Sequence, residues 1–164
     1  MDIHSLLSQL GQQMGLPNLK LDQHRVCRLI FDKKFTVDIE ATDDERVVHF
    51  YALVGEVPPH DKDKFMAYLL EANLFGKGTG GATFALDHNH RDIYLCRALA
   101  VEQLSYQDFV NMLEAFVNYL EAWVGKIDRG DVGTDASPAP SIKDKQSAVD
   151  VSGDDDLSGH FIRP

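Results

Sequence analysis

The sequence is poor in the features that mark disulfide-stapled, membrane-spanning or nucleic-acid-binding chains. Its 164 residues hold only two cysteines and one tryptophan. Cys27 and Cys96 are far apart, each inside an alternating apolar run, so neither a disulfide framework nor a zinc spacing is expected. No apolar run approaches the ~20 residues of a membrane helix, and no membrane insertion is expected. Met1-Asp2-Ile3-His4 does not lead a basic segment into an apolar one, so no secretory signal is expected. Basic residues are scarce as well: 16 Lys+Arg stand against 26 Asp+Glu, a formal net charge of −10. A chain of that charge repels a phosphate backbone, which argues against general nucleic-acid binding. A cytoplasmic domain in a reducing compartment remains, and 44% hydrophobic residues give it material for a core.

The charge is unevenly placed. Through Arg129 the balance is −6, and from Gly130 to Pro164 it is −4. The second stretch holds three of the six prolines, recurring Gly, Ser and Ala, and apolar residues without period. Such a composition buries too little surface to offset the entropy of ordering. The expected organisation is therefore a domain over 1–129 and a disordered acidic tail over 130–164.

Within the domain, Asp2 is placed to cap a first helix, and Ile3, Leu6, Leu7, Leu10 and Met14 follow helical spacing up to Gly15-Leu16-Pro17. Val26–Phe31 and Phe35–Glu40 alternate as strands around the Asp32-Lys33-Lys34 turn. Arg46–Val54 is a third strand, apolar or aromatic on both faces, which predicts cover on both sides. A helix at about 61–74, strands at 82–86 and 92–99, and a helix opening at Ser105 and ending near Gly125 complete the chain. Ser105 and Asp108 form a capping box with Asp in place of Glu. The order α-β-β-β-α-β-β-α predicts an α+β fold in which one antiparallel sheet is packed with helices.

The 61–74 helix carries more apolar surface than one sheet requires. Phe65, Met66, Tyr68, Leu69, Leu70, Ala72, Asn73 and Leu74 sweep more than half of the helical wheel. A helix on one sheet needs an apolar stripe of roughly 100°. The surplus predicts a second partner, and in a chain this short that is a symmetry mate. The homodimer contact is expected at Phe65, Met66, Leu69, Leu70, Asn73 and Leu74.

Motifs that suggest catalysis or cofactors fail on context. Gly76-x-Gly78-x-x-Gly81 matches a dinucleotide fingerprint as a string, but a helix precedes it and a strand follows, the reverse of what pyrophosphate binding needs. It reads instead as a flexible link. His88-x-His90 lies in a polar turn without a third ligand of matching context. Cys27 and Cys96 have no neighbouring base and read as small buried hydrophobes. No enzyme, cofactor or metal is expected.

A set of ordered segments does carry a likeness. Arg25-Val-Cys-Arg-Leu-Ile-Phe-Asp32, Tyr68-Leu-Leu-Glu-Ala-Asn73-Leu-Phe, the Gly-rich link, Ala82-Thr-Phe-Ala-Leu-Asp87, Ile93-Tyr-Leu-Cys-Arg97 and the final helix follow one another. With its size and acidity, the chain over roughly 1–127 resembles the small class I chaperones of type III secretion, the Tir-chaperone-like family. The resemblance implies a cytosolic homodimer without ATPase activity that holds the N-terminal segment of a secreted effector extended and competent for export. It also implies client contacts on helix 1, through Leu6, Leu10 and Met14, and at the free edge of the first strand, at Val26, Arg28 and Ile30. A core role for the same residues is the competing expectation. The tail is a candidate for docking to export machinery such as its ATPase. A regulatory protein that sequesters an activator is the alternative function within the same fold.

Overall fold

The computed structural model describes residues 1–133 and 149–151. Its elements are α1 (Ile3–Met14), β1 (Val26–Phe31), β2 (Phe35–Ala41), β3 (Val47–Glu56), α2 (Lys62–Asn73), β4 (Thr83–Asp87), β5 (Asp92–Ala100), α3 (Tyr106–Asp128) and β6 (Val149–Val151). The domain has the expected α+β order. The tail expected to be disordered lies outside the described residues except for 130–133 and β6.

Local chemistry sets the helix ends. Asp2 accepts the Ser5 N–H at 2.8 Å, and Gly15 at φ 72° closes α1 in the left-handed conformation that glycine adopts without steric cost. Ser105 accepts the Asp108 N–H while Asp108 accepts the Ser105 N–H, the reciprocal cap expected from the sequence. Past that cap, α3 runs through Gly125 to Asp128 instead of stopping at the glycine. Packing explains the extension. Ile127 lies so close to Gly55 of β3 that a Cβ there would meet Ile127 Cγ2 at 3.0 Å.

All strand pairs are antiparallel, in the order β4-β5-β3-β2-β1-β6. The first three strands form a meander. After β3 the chain crosses through α2 to the far edge, and β5 returns between β4 and β3.

One face of the sheet carries the core. Val48, Phe50, Ala52 and Val54 of β3 are buried, and Phe50 meets Phe109 and Phe116 of α3 edge-on, at 5.6 and 5.9 Å between ring centroids. The opposite face of β3 differs from expectation: among the described residues it has no covering layer, and Leu53 is 51% exposed. Its aromatic character is used laterally instead. Tyr51 packs edge-on against Tyr94 of β5 at 6.4 Å, a cross-strand contact within the sheet surface.

Candidate functional site

α2 divides its apolar residues between two faces. Phe65, Tyr68, Leu69 and Ala72 are buried against the chain's own core. Met66 is half-buried, Leu70 is 64% exposed and Leu74 is 55% exposed, and the three follow one another at a spacing of four residues on a single stripe. Phe75 extends the stripe. It is 86% exposed and held at φ 55°, a conformation that costs an L-residue about 1–2 kcal/mol. Phe75 lies beyond the helix, where helical spacing carries no signal, and only a large aromatic between Leu74 and Gly76 marks it in the sequence.

The structure therefore separates the six residues expected at the dimer contact. Leu70 and Leu74 face outward and half-buried Met66 packs at the margin of the core, whereas Phe65 and Leu69 fill the interior. Asn73 is half-buried and serves β4. Its Oδ1 accepts the Phe84 N–H at 2.7 Å, and its Nδ2 donates to the Phe84 carbonyl at 3.4 Å.

The glycine-rich link expected to be flexible is packed into the domain. The Gly78 carbonyl accepts the buried Trp123 indole N–H at 2.8 Å, and a Cβ on Gly78 would meet Ala72 at 2.8 Å. At Gly80, φ 62°, a Cβ would strike the Tyr119 ring, and the Gly80 carbonyl accepts from Arg97 at 3.0 Å. These glycines let the backbone fit between α2, α3 and β5.

The client residues expected on helix 1 are interior. Leu6, Leu10 and Met14 are at most 4% exposed. The β1 residues lie on the uncovered sheet face, where Val26 and Ile30 are half-buried and Arg28 is exposed. Arg28 makes a bidentate pair with Asp38 of β2, at 2.7 and 2.9 Å. Asp38 is itself only 8% exposed, so the pair holds a nearly buried carboxylate in place. The Asp38 hydrogen bond and charge raise the Arg28 pKa further. From Arg28 a row of register partners crosses the sheet through Asp38, Tyr51 and Cys96 to Thr83. Burial, then a hydrogen bond with Glu40, holds the Tyr51 hydroxyl well above its ordinary pKa.

The free edge expected for β1 is largely engaged. Asp22 closes its start: its Oδ1 accepts the Val26 N–H at 2.9 Å, and its own N–H donates to the Val26 carbonyl at 2.8 Å. Because ladder groups alternate in direction along a strand, Arg28 and Ile30 also present their backbone N–H and C=O outward. Ile30 is paired with Asp150 of β6, leaving Arg28 as the open position among the described residues.

Other chemistry is sparse. His90 Nδ1 and Asp87 Oδ2 are 2.7 Å apart at the exposed turn, and this contact raises the His90 pKa and lowers that of Asp87. Among the described residues, no three His, Cys, Asp or Glu side chains are grouped to hold a metal ion, and no helix is long and apolar enough to cross a membrane.

This arrangement is an antiparallel sheet with helices on one face, an exposed apolar stripe on α2, and a strand edge filled by a short segment of the same chain. The sequence profile of the Tir chaperone protein (CesT) family matches residues 5–124, and the chain belongs to that family. The Tir chaperone of Citrobacter freundii is 22% identical over 109 residues, which are 66% of this chain and 69% of that protein. The fold is shared with a chain of the HopA1–SchA chaperone–effector complex, at TM-score 0.61 and 16% identity, covering 74% of this chain and 91% of that one. It is also shared with a chain of the heterodimeric ExoU–SpcU complex from the type III secretion system of Pseudomonas aeruginosa, at TM-score 0.58 and 17% identity, covering 75% and 95%.

Proposed function

We propose that the chain is a cytoplasmic type III secretion chaperone that binds the N-terminal segment of a secreted effector and keeps it extended for export. The family match over residues 5–124 carries this reading. The surface supports it too, because the uncovered sheet face and the edge of β1 suit an extended peptide better than a small substrate.

The mechanism is mass action. A protein that binds a segment only in its non-native form shifts the effector away from its folded state. Ordering an extended segment costs chain entropy, so useful affinity needs a long contact surface. A dimer provides one, and the chain is proposed to dimerise through Met66, Leu70, Leu74 and Phe75. The exposure of Phe75 beside Leu70 and Leu74 supports that contact, since adjoining exposed large apolar side chains mark interaction surfaces. Client contact is proposed at the outer face of β1, through Val26, Arg28 and Ile30. The chain acts by binding rather than by catalysis. The anti-activator alternative is not favoured, since the curated relative matched above is a Tir chaperone.

Affinity capture tests the proposal. Tagged full-length chain, recovered from bacteria that express it with their secretion apparatus, should retain a secreted protein through that protein's N-terminal segment, since an extended client needs a large contact surface. Retention only of proteins that are never secreted would contradict it.

A further inference from the structure

The outer edge of β1 has an occupant of its own. Val149, Asp150 and Val151 pair antiparallel with Phe31, Ile30 and Leu29. The alternation argument above makes Ile30–Asp150 the pair whose backbone groups exchange hydrogen bonds. Chain length permits seating in cis. Sixteen peptide steps separate Gly133 from Val149, a reach of up to about 55 Å, whereas a domain of this size is only about 35 Å across.

We infer that Val149-Asp150-Val151 is a built-in competitor that fills the strand-accepting edge of β1 until an extended client segment displaces it. This rests on the proposed client site at β1. An unpaired edge strand is a template for pairing with other chains, and covering it prevents such pairing. A tethered segment achieves this with few contacts, because its effective concentration at the edge is of millimolar order. A client with a longer alternating segment gains the Arg28 position as well, and so outcompetes the three-residue strand. The short tail strand then protects the empty chaperone while leaving the edge available to a partner that pairs over more residues.

The test uses full-length chain and its Asp150→Pro variant, since proline removes the N–H that the ladder with Ile30 requires. Two readouts are compared: exchange of the Ile30 amide, and binding of a fluorescent peptide spanning residues 145–155 added in trans. In the variant, the Ile30 amide should exchange at least about tenfold faster while the inward-facing amides of Leu29 and Phe31 stay unchanged. The peptide should bind about tenfold more tightly, as expected if the edge of the unmodified chain is open about a tenth of the time. No change in either readout overturns the inference, as does Ile30 protection that falls on dilution, which would assign the strand to a second copy. None of these results depends on a client. A variant with an open edge that still captures no secreted protein would instead count against the chaperone reading.

Discussion

Asn73 at the end of α2 and Phe84 in β4 exchange two hydrogen bonds, from the Phe84 N–H to Asn73 Oδ1 at 2.7 Å and from Asn73 Nδ2 to the Phe84 carbonyl at 3.4 Å. The Phe84 ring in turn meets Trp123 edge-on at 4.8 Å, so one amide ties the helix, the edge strand and the core together. Asn73→Ala leaves two half-buried backbone groups without their partner and should cost about 1–3 kcal/mol, read as a lowered urea midpoint at unchanged slope. Asn73→Asp keeps the acceptor and loses the donor, and should fall between the two.

The two faces of α2 respond differently to charge. Leu70→Glu, on the exposed stripe, should convert a particle of about twice 18.4 kDa into one of 18.4 kDa with its circular dichroism intact. Leu69→Glu places a carboxylate at a position 2% exposed and should destabilise the fold by roughly 3 kcal/mol or more. Light scattering coupled to size exclusion separates the outcomes.

The two thiols should be distinguishable. Burial pushes the Cys27 thiol up to about 12, and half-burial raises Cys96 above its ordinary value. A thiol is nucleophilic only as the thiolate. At pH 8 an aromatic disulfide reagent should therefore label Cys96 slowly and Cys27 only after unfolding, with peptide mapping to assign the sites.

The β1–β2 turn places Asp32 and Lys33 at φ 53° and 55°, the conformation that favours glycine. Lys33→Gly should stabilise the protein by roughly 0.5–1 kcal/mol, seen as a higher melting temperature.

What the sequence made readable follows from the range of each signal. Helix caps at Asp2 and Ser105 and strand alternation at 26–31 and 35–40 depend on nearby residues and appeared where expected. Periodicity reveals that a helix has an apolar face, but not what lies against it. Leu6, Leu10 and Met14 thus read equally as patch or core, and the structure buries all three. On α2 periodicity likewise merges two faces, which the structure separates by packing Tyr68 and Leu69 against the interior. The link at 76–81 read as flexible because its close approaches to Tyr119, Trp123 and Arg97 come from residues far along the chain. Val149–Val151 is shorter than any periodic window and lies in a polar stretch, so its pairing with β1 had no local signature.

The most direct measurement compares proteins released into the medium by the host bacterium with and without this chain, its secretion apparatus otherwise intact. The account predicts that one or a few effectors disappear from the medium and return when the chain is supplied from a plasmid. An unchanged set of secreted proteins would contradict it.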